Sequence, residues 1–176
     1  MGTPHTIAVA GKGGVGKSLV ADEIAFSFER SGIPVSFYDL DTQGGTLHKT
    51  HEADAAQVAV VDTPEEIERA GMSLNSPIPA GMAKGDYLQM RLEDAITEEK
   101  DFDLMVMGRT QGKGCYCYVN GVLKTQVDKY AKNYRYVVMD NEAGLEHVAR
   151  GTLPHVDTML LISDCSRRGI QAVARI

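Results

Sequence analysis

Gly11 to Ser18, read as G-K-G-G-V-G-K-S, constrains this chain more than any other stretch of it. It fits G-x-x-x-x-G-K-[ST], and that pattern means something only between a strand and a helix. Both flanks are present. T-I-A-V-A (Thr6 to Ala10) reads as a buried strand, and Lys17 to Arg30 carries apolar residues at Leu19, Val20, Ile24, Ala25 and Phe28 with helical spacing. Glycines let the backbone turn its N–H groups onto phosphates, and the helix N-terminus favours the anion. Lys17 would reach the β- and γ-phosphates and the Ser18 hydroxyl would hold Mg²⁺. A plain glycine-rich turn before a helix would need neither lysine nor hydroxyl. The candidate nucleotide-binding set is therefore Gly11, Gly13, Gly14, Val15, Gly16, Lys17, Ser18 and Leu19, while Lys12, near the start of the turn, needs no role in holding phosphate within its own chain.

A strand, V-S-F-Y-D (Val35 to Asp39), follows that helix and completes a βαβ unit. Further strands are expected at Val58 to Val61, Leu104 to Met107, Tyr136 to Met139 and Thr158 to Ile162. Helices are expected at Tyr87 to Thr97, Gly121 to Lys132 and from Ser166 onward. Alternation of this kind predicts an α/β fold, a mostly parallel sheet flanked by helices in three layers. Asn75 to Gly85, with Pro77, Pro79, Gly81 and Gly85, is the expected loop. At 176 residues the chain suits one domain and leaves no room for two. It stops at Ile176 inside a helical pattern with no capping signal, so the expectation is that C-terminal strands are missing.

A formal charge of -6 works against a passive grip on nucleic acid or anionic lipid. The longest apolar runs, such as Thr158 to Ile162, are too short to span a bilayer, and M-G-T-P-H-T lacks the regions of a secretory signal. The expected location is the cytoplasm. Three cysteines, Cys115, Cys117 and Cys165, are too few and too unevenly spaced for a disulfide framework.

Asp39 and Asp41 stand in D-L-D-T-Q-G at the carboxyl end of a predicted strand, where open α/β sheets bind ligands. Their spacing puts both carboxylates on one side of an extended segment. Two further aspartates each follow an apolar strand, Asp62 in V-A-V-V-D and Asp140 in Y-V-V-M-D. Only one can serve as the magnesium-supporting carboxylate of a second strand. Asp62 leads into T-P-E-E-I-E-R, a proline-initiated helix start, and reads as a cap. Asp140 leads into N-E-A-G-L-E-H, whose Gly144 would offer a backbone N–H to a γ-phosphate, and is preferred.

Cys115 and Cys117 lie in G-K-G-C-Y-C-Y, and in extended backbone they face the same way. Spacing alone leaves three readings open: a metal pair, a redox pair, or small buried hydrophobes. As metal ligands, two thiolates are half of a four-coordinate shell, and a symmetric dimer would supply the rest. His147 and Cys165 read as structural, and Arg167 with Arg168 as a solvated pair at a helix start.

K-G-G-V-G-K-S resembles the deviant phosphate loop of the MinD, ParA and nitrogenase iron protein class. That resemblance implies ATP as the nucleotide and a homodimer that sandwiches it, with Lys12 reaching the partner's phosphates and hydrolysis depending on dimerisation. It also implies that Asp41 positions or deprotonates the attacking water while Asp39 supports the Mg²⁺ shell. Val20 to Pro64, through F-Y-D-L-D-T-Q-G-G-T-L-H-K and V-A-V-V-D-T-P, is closer to ParA-type partition ATPases. From Asn75 to Ile176 the chain resembles the CooC family, nickel-insertion accessory ATPases of carbon monoxide dehydrogenase and its acetyl-CoA synthase relative. The residues that carry this are N-S-P-I-P-A-G-M, D-F-D-L-M-V-M-G-R-T-Q-G-K-G-C-Y-C-Y-V-N-G, D-N-E-A-G-L-E-H and S-D-C-S-R-R-G. The CooC resemblance implies that Cys115 and Cys117 bind Ni²⁺ or Zn²⁺ at the dimer interface, with carbon monoxide dehydrogenase as recipient. The alternative it competes with is a partition or positioning ATPase.

Overall fold

The structure is a computed structural model that describes residues 3–40, 78–94, 96–98, 102–106, 124–125, 128–141 and 155–175. Ile7 to Ala10 is apolar without interruption, the pattern of a strand covered on both faces. It forms the centre of β1 (His5–Gly11), whose residues from Thr6 onward are all buried. α1 (Lys17–Arg30) follows the loop without a gap. It ends where Gly32 takes a positive φ of 66°, letting Gly32 N–H donate to Glu29 O and Ile33 N–H to Phe28 O. β2 (Val35–Asp39) is buried along its whole length. The chain then adds α2 (Lys84–Glu93), β3 (Thr97–Glu98), β4 (Phe102–Val106), a single 3₁₀ turn (Ala131–Asn133), β5 (Tyr136–Asp140), β6 (Thr158–Ile162) and α3 (Arg167–Val173).

Among the described residues these strands make one six-stranded sheet in the order β3-β4-β2-β5-β1-β6. All neighbours are parallel except the short edge strand β3, which runs antiparallel to β4. β1 and β2 are not neighbours: the chain crosses over by α1 and leaves a slot that β5 fills. The carboxyl ends of β1, β5 and β2 therefore stand side by side where the chain changes direction across the sheet, the place at which open α/β sheets take ligands.

Small residues set the distance between helix and sheet. Ala21 and Ala25 are the buried apolar residues of α1, and they let it sit close on Val9, Val35, Phe37, Leu104 and Val138. Val20, Ile24 and Phe28 pack around that contact, and Phe28 stacks on Tyr136 with ring centroids 4.2 Å apart. Each fully buried large side chain here contributes on the order of 1.5–3 kcal/mol. Leu19 does not join them. It is 64% exposed, because the helical stripe starts one residue later than the apolar pattern alone suggests. At the far end of the sheet Asp157 ties β6 to β1, its carboxylate accepting from Thr6 N–H at 2.8 Å and its own N–H donating to Thr6 O at 3.0 Å.

Two expected elements move. The helix expected over Tyr87 to Thr97 runs Lys84–Glu93: Tyr87 N–H already bonds Ala83 O, so the loop closes earlier and Gly85 lies inside the helix. At the other end Ile96 N–H turns back to Glu93 O, and Thr97 leaves the helix to pair with Leu104 across the sheet edge. Of the helix expected over Gly121 to Lys132, residues 124–125 and 128–130 are helical, and the last turn tightens to 3₁₀. The strand expected at Val58 to Val61 lies outside the described residues. Among the described residues no helix is long and apolar enough to cross a membrane.

The sheet face away from α1 carries buried polar groups. Asp103 of β4 accepts a hydrogen bond from the Tyr134 hydroxyl, and burial holds the Asp103 carboxyl above its ordinary range, against that bond and with help from Glu98. Tyr38, on neighbouring β2, is pushed up to about 12 chiefly by burial. For Asp103 the folded-state pKa is the higher one, so on raising the pH the unfolded chain releases its proton first. Stability from this group is thus greatest in acid, falls as the pH climbs from the ordinary carboxylate value to the raised one, and is level above that. Asp103→Asn should abolish this fall while keeping an acceptor for Tyr134. Urea unfolding of both proteins between about pH 3 and pH 7 measures it, and a constant difference across that range would refute it.

Candidate functional site

The loop after β1 is built on glycines that no other residue could replace without strain. Gly16 precedes α1 with φ 92° and ψ 24°, and it offers no side chain to cap the helix. The first-turn N–H groups therefore face outward without a side-chain cap, an anion site by geometry and by the helix dipole. A Cβ at Gly14 or Gly16 would meet nothing within 4 Å, so the space beside the loop is open. Gly11 is different. Its φ is 150°, and a Cβ there would come within 2.1 Å of Ile162 O on β6. Gly13 and Val15 complete the loop, Gly13 exposed and Val15 half-buried.

The two loop lysines are treated differently by the fold. Lys17 is only 5% exposed, and its ammonium donates to the Lys12 carbonyl at 3.4 Å, a long bond to a neutral acceptor. A buried cation held this loosely gains from any anion that enters the loop. Lys12 instead points out and meets Asp164 at 3.8 Å, with the two side chains 50% and 42% exposed. Asp164 stands just beyond β6, where its carboxylate accepts from Ser166 N–H at 2.9 Å. The Ser166 hydrogen bonds and then the Lys12 charge hold Asp164 below the usual carboxylate range. Ser166 caps α3 by accepting from Gly169 N–H at 3.0 Å. Arg167 and Arg168, which open α3, are exposed, as is the free thiol of Cys165.

Asp39 closes β2 and Asp140 closes β5, and the two are register partners with no exposed surface. Val9, two residues before the loop, is the register partner of Asp140 on β1. Strand pairing thus brings two carboxylates and the phosphate loop to one end of three adjacent strands. Two buried carboxylates side by side oppose each other as anions, and a divalent cation offsets that cost. Their hard oxygen donors, with the half-buried Ser18 hydroxyl at the start of α1, suit Mg²⁺. The residues fit that ion. Asp41, Asp62, Cys115, Cys117, Gly144 and His147 lie outside the described residues.

Two residues at this end of the sheet went unassigned by sequence reasoning, Asp164 and Asn141. The signal for both was available in principle, since Asn141 directly follows β5 and Asp164 stands two residues beyond β6, on the same side as the loop. Only the strand order says that those ends are adjacent to β1.

Residues 3–79 match the family described as "ParA: NUBPL iron-transfer P-loop NTPase", and the loop, the parallel sheet and the paired strand-end carboxylates are what such a fold presents. The chain has the fold of a ParA/MinD-like P-loop NTPase and, over those residues, is similar to the ParA/NUBPL family. It is 40% identical over 170 residues to an uncharacterized ATP-binding protein of Methanocaldococcus jannaschii, covering 97% of the present chain and 66% of the relative. It is 28% identical over 188 residues to the carbon monoxide dehydrogenase accessory protein CooC of Rhodospirillum rubrum, again 97% of this chain and 66% of that one. The chain therefore spans just under two thirds of the length of these two relatives. In fold it is similar to a plasmid partition protein from Borrelia burgdorferi, with a TM-score of 0.61 at 17% identity over 98% of this chain and 71% of the other. The ParA-like character expected for Val20 to Pro64 falls within the matched residues 3–79. The likeness to CooC extends over nearly the whole chain rather than beginning at Asn75.

Proposed function

We propose that the protein is an ATP-hydrolysing metallochaperone that acts as a homodimer and assists nickel insertion into carbon monoxide dehydrogenase or its acetyl-CoA synthase relative. The observation that carries this reading is the half-shell of thiols, Cys115 and Cys117, in a chain 28% identical to CooC over 97% of its length. Two thiolates per chain ask for a second chain to complete a four-coordinate Ni²⁺ or Zn²⁺ site. Lys12 asks for the same partner.

In this reading Lys17 and the loop N–H groups bind the phosphates of ATP, which the α1 N-terminus also favours. Ser18, Asp39 and Asp140 would hold Mg²⁺, which supplies neutralisation of phosphate charge. Asp41 orients the attacking water and accepts its proton, and Gly144 offers its N–H to the γ-phosphate. Lys12 leaves Asp164 and reaches the partner's phosphates. That exchange is favourable on magnitude: a half-exposed ion pair is among the weakest protein interactions, whereas a charge-assisted bond to phosphate in a closed site is among the strongest.

Metal analysis of anaerobically purified protein, with and without ATP and alongside its mass in solution, tests the reading. Nickel should saturate at one ion per two chains and fall to background in the double variant Cys115→Ser, Cys117→Ser. One tightly held ion per monomer, or unchanged binding without the thiols, would overturn the shared site. A partition or positioning ATPase is the second reading, favoured by F-Y-D-L-D-T-Q-G and V-A-V-V-D-T-P within residues 3–79. It requires ATP-stimulated, salt-sensitive DNA binding that does not depend on the cysteines, against a formal charge of -6.

A further inference from the structure

Asn141 follows Asp140 at the mouth of β5 and is 1% exposed. Its backbone N–H and its side-chain Nδ2 both donate to Val9 O, at 3.1 and 3.0 Å. A carbonyl only accepts, so this contact fixes which end of the amide is nitrogen and turns Oδ1 away from β1. Oδ1 is buried and has no hydrogen-bond partner among the described residues. A buried acceptor left unmade is costly enough that a native fold seldom keeps one without a use.

Among the described residues, what could fill it is limited by the neighbours. Asp140 is the preceding residue, Asp39 is its register partner, and Leu40 N–H is already committed to Asp140 O at 2.9 Å. Ionised around a cation, these two carboxylates only accept and cannot serve another acceptor. The group required is a donor that is itself attracted to two carboxylates. A water on a divalent cation meets both conditions, because its lone pair is committed to the metal and its protons point outward, and Mg²⁺ characteristically keeps several such waters.

We infer that Asn141 is a positioning residue whose Oδ1 accepts a hydrogen bond from a water of the hydrated divalent cation held by the Asp39 and Asp140 carboxylates. This rests on the nucleotide-hydrolysis reading of the site and adds to it an outer-shell ligand. Val9 O keeps the backbone N–H of residue 141 whatever the side chain, so Asn141→Leu removes Oδ1 together with the Nδ2 donor but leaves Val9 O with one of its two hydrogen bonds.

Mn²⁺ binding in the presence of ATP, followed by electron paramagnetic resonance, reads the effect directly. Asn141→Leu should weaken Mn²⁺ by about ten-fold or more, the usual scale for an outer-shell partner. Its metal-free thermal stability should be equal to or above that of the unaltered protein, since an unmade acceptor is gone. ATP binding in excess chelator should not change. Asn141→Asp, which retains an acceptor, should keep Mn²⁺ affinity. An Asn141→Leu protein that binds Mn²⁺ within about two-fold of the original would overturn the inference, as would parallel loss of metal-free stability and of Mn²⁺ affinity. Absence of ATP-dependent Mn²⁺ binding in the unaltered protein would overturn the nucleotide reading and this inference together.

Discussion

Gly11→Ala should cost about 3–5 kcal/mol of folding stability, summing strain at a conformation L-residues rarely adopt with overpacking of a rigid neighbour. A Cβ at Gly11 would stand 2.1 Å from Ile162 O, 3.1 Å from its carbonyl carbon and 3.3 Å from its nitrogen. All three are backbone atoms of β6, so no rotamer change can relieve the contact. Gly11 and Ile162 are register partners at the end of the β1–β6 ladder, and Asp157 pins the same two strands at their other end. Relief therefore means parting the strands where the phosphate loop begins. For a chain of this length the loss corresponds to a fall in Tm of roughly 6–20 °C. Gly14→Ala is the control: its φ is 77° but a Cβ there meets nothing, so only the backbone term of about 1–2 kcal/mol applies. Calorimetry or urea unfolding separates the two, and equal losses would show that the Ile162 contact yields freely.

Local chemistry made the loop and its helix legible from the sequence alone. Lys17–Arg30, Val35–Asp39 and Thr158–Ile162 fall where apolar periodicity places them, because each is decided by its own residues. What was not legible is everything that depends on strand order. Asp39 and Asp140 are far apart in the chain, and nothing local says that β5 inserts between β1 and β2 to make them register partners. Choosing Asp140 over Asp62 required weighing helix-start signals. The pairing places Asp140 beside Asp39, while Asp62 lies outside the described residues. Asp164 and Asn141 went unassigned for the same reason: an aspartate after one strand and an asparagine after another are ordinary loop residues until the sheet sets them beside the loop. Leu19 shows the converse error. Its apolar character fits the stripe of α1, but at the first turn the helix has not yet come over the core.

Lys12→Ala should lower ATP hydrolysis by on the order of 10²–10³-fold, the usual loss when one preorganised cation or donor facing developing charge is removed. ATP affinity should change far less, because the ammonium buried at the loop is that of Lys17 and remains in place. The expected signature is a fall in kcat with KM nearly constant, together with loss of the ATP-dependent dimer in solution. Asp164→Asn sharpens the test from the other side. If Lys12 acts where it now lies, in contact with Asp164, then removing that carboxylate should cost activity much as removing the lysine does. If Lys12 acts across a dimer, Asp164 only holds it between turnovers, and the variant should keep kcat within a few-fold, given how weak a half-exposed pair is. Raised salt should mimic Asp164→Asn, since the pair is solvent-screened, while leaving the closed dimer's contacts less affected. Full activity in Lys12→Ala, or equal losses in kcat and ATP affinity, would return Lys12 to the role of a solvated charge on a loop that Lys17 already serves, and would remove one of the two independent reasons for a two-fold partner.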